Sequence, residues 1–334
     1  MKPKKTFSTI HLFSNTSVYL SIAIIVGSVL GLFLPDASAT VASTIDPSIM
    51  LLVFLLLFEV PAKGIFNGLT NIRFLSITWL VNFIAIPFIG FVVASMFVSG
   101  EALFYTGLII YFMAPCTDWY LGFTRLAKGN VELGAALLPI NMISQLILFP
   151  VYLLLFETVV AYKVDLSMLV EWFIQPLFAA ILLRVILRKF TEKLMAMTKV
   201  LIPIVLALLV AQIFTANIQT LIQYLNIVPK LLAAVFIFFV ITYVLGELVA
   251  KLAKFEYPEH CLFTFTTSAR NAPLMLGLST VALPDQPLIY ATITIGMLIE
   301  FPHLTALKSL LLKRLKSHQN SALNRLHTTE KSLK

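Results

Sequence analysis

Three ionisable side chains lie deep in stretches that are otherwise almost free of charge: Asp118, Arg270 and Glu300. At bilayer depth each costs about 2.5–3.5 kcal/mol on insertion scales, so each needs a reason to be there. Two ionised carboxylates beside one guanidinium would leave a net negative charge. Desolvation resists that, so a proton or another cation is expected at such a group. An Arg270–Asp118 contact reads equally well as a structural tie between helices. Glu300 must share the arginine or hold a proton, and is read as an ion-coupling residue with Asp118 and Arg270. His303, one turn further on, lacks the second Glu/His pair of a metal site and is read as packing or hydrogen bonding. No metal or cofactor is expected.

Cys116 directly follows Pro115, where a second half-helix is expected to begin. The positive end of a helix favours thiolate, and thiolates prefer soft metals and metalloids. A buried cysteine is also an ordinary small hydrophobe, and Asp118 would compete for the same helix end. Asn141 has Gln145 one turn away on the same face, which either ties helices together or lines a pathway. Asn271 precedes an apolar run and reads either as an N-cap or as a solute contact. Cys261 lies about 14 Å of helix before Arg270 and is read as packing.

These residues are set in a chain of 334 residues that is 59% hydrophobic and 12% charged, against about 25% charged residues in a soluble domain. Its mean hydropathy is +0.95. A soluble enzyme is excluded by that balance. Apolar runs of about 17 or more residues match a hydrocarbon core of about 30 Å, so the chain is expected to be an all-α polytopic membrane protein. Runs bounded by Pro, Gly or charge place ten spans: 18–35, 45–60, 75–98, 102–124, 132–157, 166–187, 195–215, 229–252, 259–283 and 286–312. The first is read as an uncleaved helix.

With the N-terminus in the cytoplasm, 21 of the 24 Lys and Arg fall on the inner side, leaving Lys163 and Lys230 outside and Arg270 within a span. Both termini are therefore expected in the cytoplasm of a cell with a plasma-membrane location, and residues 313–334 form a polar cytoplasmic tail. The formal charge of +8 is accounted for by loops facing an anionic inner leaflet, with no call for nucleic acid. Glu59, Glu171 and Glu247 lie nearer span ends and are read as interfacial. Cys116 and Cys261 do not form a disulfide framework.

Spans two to four and seven to nine start at positions separated by about 150–157 residues. Halves of five spans must enter the bilayer with opposite orientation, so residues 18–157 and 166–312 are read as two inverted five-helix repeats. Any ten-helix chain can be cut in two, but the interruptions correspond as well. Span four is broken by Ala114-Pro115-Cys116-Thr117-Asp118 and span nine by the run Thr266 to Pro273. Non-helical backbone at that depth is tolerated only against protein or a water-filled cavity. A corresponding pair of broken spans points to a transport site.

Three stretches carry a resemblance: Ala114-Pro115-Cys116-Thr117, Leu126-Ala127-Lys128-Gly129-Asn130 and Leu298-Ile299-Glu300-Phe301-Pro302. With the ten-span layout, the chain resembles the arsenite efflux permeases of the bile acid:sodium symporter superfamily. The resemblance implies a panel of spans one, two, six and seven beside a core of the other six, with spans four and nine crossing. It implies that Cys116 contacts a metalloid and that Glu300 takes part in transport. Thr266 and Arg270 stand where the sodium-coupled relatives carry an acid and a glutamine, so a proton is expected as coupling ion before sodium. The expected function is proton-coupled efflux of arsenite or antimonite, with Cys116, Asn141 and Asn271 meeting the solute. The alternative is an ion-coupled transporter of a small organic anion held by Arg270 and the half-helix N-termini. An enzyme is not expected, since no convergent catalytic set is present.

Overall fold

The structure is a computed structural model that describes residues 9–58, 71–117, 119–155, 191–332 and, between 178 and 187, residues 178–179, 182–184 and 186–187. Among them it forms helices and no strands. In chain order these are α1 Thr9–Phe33, α2 Pro35–Ala42, α3 Ile45–Phe58, α4 Ile72–Leu80, α5 Ile86–Val98, α6 Ala102–Met113, α7 Trp119–Leu126, α8 Val131–Leu155, α9 Thr191–Ile222, α10 Val228–Leu252, α11 Tyr257–Ser268, α12 Ala272–Ala282 and α13 Pro287–Ser332. Among the described residues five helical segments are long and apolar enough to cross a membrane: Ile72–Val98, Val131–Leu155, Val200–Gln219, Val228–Leu252 and Pro287–Lys316. Large apolar side chains such as Phe88, Met96, Phe236 and Leu252 point outward, as lipid-facing residues do.

Spans four and nine are interrupted where the sequence places the breaks, between α6 and α7 and between α11 and α12. Most of span six, with Glu171, and the residues Glu59, Asp118 and Lys163 lie outside the described residues. Two element bounds differ from expectation. Helix α1 begins at Thr9, and α13 runs on to Ser332, so residues 313–332 continue the last span as helix. After Pro302 that stretch contains no Pro or Gly and is rich in Leu, Lys, Arg and Ala, so nothing in it breaks a helix.

Between α4 and α5 the ladder slips into a π-helical turn, Val81–Ala85, where the Ile86 N–H bonds the Val81 carbonyl. Pro87 accounts for the slip, since it has no N–H for the Phe83 carbonyl. That carbonyl instead accepts from the Tyr152 hydroxyl of α8. The turn carries Asn82 inward, where it is fully buried.

Small residues set the closest helix approaches. Gly27 and Gly31, one turn apart on α1, face the backbone of Ala211 and Thr215 on α9, and a Cβ at either would run into a carbonyl oxygen. Helices α2 and α3 pack on the same helix. In a second cluster α6 packs on α5 and α13, and α10 on α5, α11 and α13. Here Gly107 faces Thr292, and Gly296 lies under the ring of Tyr111. A Cβ on Gly296 would stand 2.6 Å from Tyr111 Cε1, while one on Gly100 would meet nothing within 4 Å. Gly296→Ala is therefore expected to cost about 1–3 kcal/mol by overpacking. Thermal unfolding in detergent should show the loss for Gly296→Ala and no comparable loss for Gly100→Ala.

Candidate functional site

The two breaks meet. Helix α6 stops because the residue before a proline is driven out of the helical region, and Ala114 is extended accordingly. Helix α11 stops in an extended Ala269, and Pro273, near the start of α12, has no N–H for the Ala269 carbonyl. The unused groups find one another. The Cys116 N–H donates to the Ala269 carbonyl at 2.9 Å, the Asn271 N–H donates to the Ala114 carbonyl at 3.0 Å, and Pro115 and Arg270 form an antiparallel bridge. The crossing is a minimal piece of β-ladder held at the centre of a helical bundle, with Pro115 absent from the donor side.

Glu300 of α13 ties both broken helices. Its Oε1 accepts from the backbone N–H of Arg270 at 2.9 Å and its Oε2 from the Tyr111 hydroxyl at 2.9 Å. Both carboxyl oxygens are thus engaged as acceptors in a place only 1% exposed. Arg270, fully buried, sends Nη1 to the Phe112 carbonyl at 3.0 Å and Nη2 to the Thr267 carbonyl at 2.6 Å. These are carbonyls of the last turns of α6 and α11, groups that a helix end leaves unbonded. Phe238 lies 5.8 Å from the guanidinium carbon and stacks on Phe112. Among the described residues Arg270 has no ion-pair partner, so the arginine is held by carbonyls where a carboxylate was the expectation. Asp118, the expected partner, falls outside the described residues.

Cys116 is buried within the break, and the second half-helix begins three residues after it, at Trp119. Its Sγ accepts from the Trp119 N–H at 3.2 Å, so the sulfur takes the acceptor role of an N-cap. Asn271 forms the cap its sequence position allows and also ties to neighbouring side chains. Its Oδ1 caps α12 by accepting from the Leu274 N–H, and its Nδ2 reaches Thr117 Oγ1 at 3.1 Å and Gln145 Oε1 at 3.2 Å. Asn141 Nδ2 donates to Thr266 Oγ1 at 3.3 Å, and Asn82 Nδ2 reaches the same oxygen at 3.2 Å. Among the described residues the Oδ1 atoms of Asn82 and Asn141 are buried without a donor.

The structure thus brings Cys116, Arg270, Asn271 and Glu300 to one crossing and joins Asn141 to it through Thr266. Tyr111 and Asn82 escaped the sequence reading. The signal for Asn82 was available in Pro87, five residues on, which predicts a slipped ladder. No sequence signal separates Tyr111 from its aromatic neighbours. His303 stacks on Phe239 with ring centroids 4.7 Å apart, a packing role. Cys261 also packs, against the backbone of Gly129, where a Cβ would come within 3.0 Å of its sulfur. Glu247 is half-buried and bridges His260 and Arg314, an interfacial carboxylate with two partners. The side chains at the crossing are buried, and two surface depressions lie away from it, one along Leu75, Trp79 and Ile140 and the other between Glu247 and His260.

A helical membrane protein whose broken helices cross head to head, with polar side chains gathered on the break, has the build of a solute transporter. The chain belongs to the Sodium Bile acid symporter family, whose profile matches residues 46–224. It is also similar to the arsenical-resistance protein Acr3 of Corynebacterium glutamicum, with 23% identity over 257 residues, covering 71% of this chain and 70% of the relative. It is a multi-pass membrane transporter of a small solute, and not an enzyme. The family match includes Cys116 and Asn141, whereas Arg270 and Glu300 lie beyond it.

If Tyr111 and Arg270 share the burden of the buried Glu300 carboxylate, Tyr111→Phe removes one of its two donors. The expected cost is about 1.5–3 kcal/mol, the range for a hydrogen bond to a charged group. Differential scanning of the purified variant would measure it, and Tyr105→Phe, whose buried hydroxyl meets only the neutral hydroxyl of Ser95, should lose less.

Proposed function

We propose that the chain is a secondary active transporter that exports arsenite or antimonite in exchange for protons. The observation that carries this reading is Cys116: a thiol placed at the crossing of two broken helices, its sulfur at the N-terminus of a half-helix. The similarity to a protein named for arsenical resistance supports the same solute. Trivalent arsenic in water is a neutral trihydroxide. When sulfur bonds arsenic, the thiol proton leaves with one hydroxyl as water, and hydrolysis of that bond returns the thiol and the trihydroxide. The remaining hydroxyls are donors, and the unpartnered Oδ1 atoms of Asn82 and Asn141 are acceptors.

Coupling is assigned to Glu300. As a carboxylate it holds α13 to Tyr111 of α6 and to the backbone of Arg270, so it locks both broken helices to one rod. A proton on Oε1 sets an O–H against the Arg270 N–H and breaks that bond, which loosens the lock for a change of access, whereas a proton on Oε2 is accepted by the Tyr111 hydroxyl and reverses that bond. Asp118 is assigned to the same ion-coupling group on its sequence position beside Cys116. The organic-anion alternative asks Arg270 to face a solute, yet the residue is fully buried and both Nη atoms already donate to carbonyls, which leaves Nε as its buried nitrogen without a partner among the described residues.

The architecture proposed with this function is ten spans in two inverted repeats, residues 18–157 and 166–312, in the plasma membrane with both termini in the cytoplasm. Three features support it. The breaks lie at corresponding positions and cross antiparallel. Each broken span is followed by a residue with positive φ, Lys128 at 62° and Asp285 at 59°. The loops near Lys128 and Lys254 are joined, with the Asn130 N–H on the Pro258 carbonyl and Tyr257 on the Ala127 carbonyl, which gathers basic residues at one end of the bundle.

In everted vesicles, Cys116→Ser is expected to lower arsenite uptake at least about tenfold, equivalent to about 1.4 kcal/mol of lost solute binding. Full activity in that variant would sink the metalloid-ligand role. Glu300→Gln is expected to abolish the response of uptake to an imposed pH gradient, and uptake driven by sodium at constant pH would overturn proton coupling.

A further inference from the structure

Helices α6 and α11 end at the crossing, and both bring C-terminal carbonyls to it. A helix C-terminus carries roughly half a negative charge, and in transporters with broken helices such ends are where coupling cations are held. Two of them facing one point at bilayer depth, with Glu300 alongside, form a strongly cation-seeking place. The side chain of Arg270 fills it. Nη1 takes the Phe112 carbonyl of one half-helix and Nη2 takes the Thr267 carbonyl of the other. Phe238 and Phe112 wall the guanidinium off, and the residue is 0% exposed. An arginine stays protonated in proteins, so this cation neither dissociates nor gives up its proton.

We propose that Arg270 is the resident cation of the crossing, covalently supplying the charge that a dissociable inorganic cation would otherwise bring, so that sodium has no place there. The proposal rests on reading the crossing as the transport site and deepens it, because it names what fixes the choice of coupling ion. With the cation built in, the group left to exchange with solution is the carboxyl of Glu300. The geometry also makes Arg270 a positioning residue for both broken helices, since one planar fork spans their ends. A compact ammonium could hold the charge but not that bidentate geometry.

The test uses the full-length protein in lipid nanodiscs and reads the thermal unfolding midpoint at matched ionic strength in choline, sodium and millimolar guanidinium chloride. Wild type is expected to unfold at the same temperature in all three. Arg270→Ala and Arg270→Gln open the place, and their lowered midpoints are expected to rise with guanidinium, by on the order of 3 °C at ten times its dissociation constant. Sodium stabilisation of wild type over choline, or neutral variants that fold and respond to neither guanidinium nor sodium, would overturn the proposal. Should the neutral variants fail to fold, Arg270→Lys decides. It keeps the charge and should ignore sodium, and a sodium-stabilised lysine variant would count against a resident cation. Wild-type transport in pH and sodium gradients is a separate readout. A wild type that ignores sodium in unfolding but shows no pH-driven transport sinks the proton-coupling assignment and leaves the resident cation standing.

Discussion

A peptide group in hydrocarbon must bond to something, and a helix that stops halfway across a bilayer strands several of them at once. The crossing answers that constraint. The chain stops two helices at the same depth and lets each break supply what the other lacks: the Ala269 carbonyl freed by Pro273 receives the Cys116 N–H, and the Ala114 carbonyl receives the Asn271 N–H. Two further helix-end carbonyls, those of Phe112 and Thr267, are taken by Arg270. Neither half of the molecule can satisfy its own break, so the halves are bound together by backbone need as well as by apolar contact. That need also explains why polar side chains collect there. Once a non-helical segment exists at depth, hydroxyls and amides such as Thr117, Gln145 and Asn271 have partners within reach that a continuous helix would not offer.

The same logic runs through the helices that surround the crossing. At Pro87 a side chain from another helix makes good the lost donor: Tyr152 serves the Phe83 carbonyl, and the slipped turn in turn delivers Asn82 to Thr266. Glycine performs the complementary task. Gly107 and Gly296 let α6 and α13 approach closely enough for Tyr111 to lie on the neighbouring backbone and meet Glu300. The bond to Glu300 therefore depends on packing about one turn away on each helix, because the distance between the two helix axes decides whether its phenol partner can reach.

Much of this was legible in the sequence, and the reasons are local. Pro115 and Pro273, inside apolar runs, mark where the helices fail, and Asp118, Arg270 and Glu300 stand out because charge is expensive in such runs. Small, polar Asn271 before an apolar run predicts a cap, which it forms. What escaped depends on who faces whom across more than a hundred residues. Arg270 also reaches two helix-end carbonyls, acceptors that carry no letter in a sequence, while Asp118, its expected partner, lies outside the described residues. The half-helix after Cys116 begins at Trp119, later than Pro115 implied, with Pro115 and Cys116 themselves engaged in the bridge. The continuation of α13 to Ser332 was masked by polarity, which marks the end of a span but does not end a helix.

That last helix has a mechanical consequence. Glu300 lies in its first third with Pro302 just beyond, a residue that leaves the Leu298 carbonyl without its usual donor and so softens the rod at this level. From Glu300 to Ser332 a straight helix measures about 48 Å at about 1.5 Å per residue. A bend of about 5° at the proline would sweep its tip through about 4 Å. An event at one carboxyl in the interior would thus be magnified at the far end, where a spectroscopic probe could read the needle of a built-in gauge.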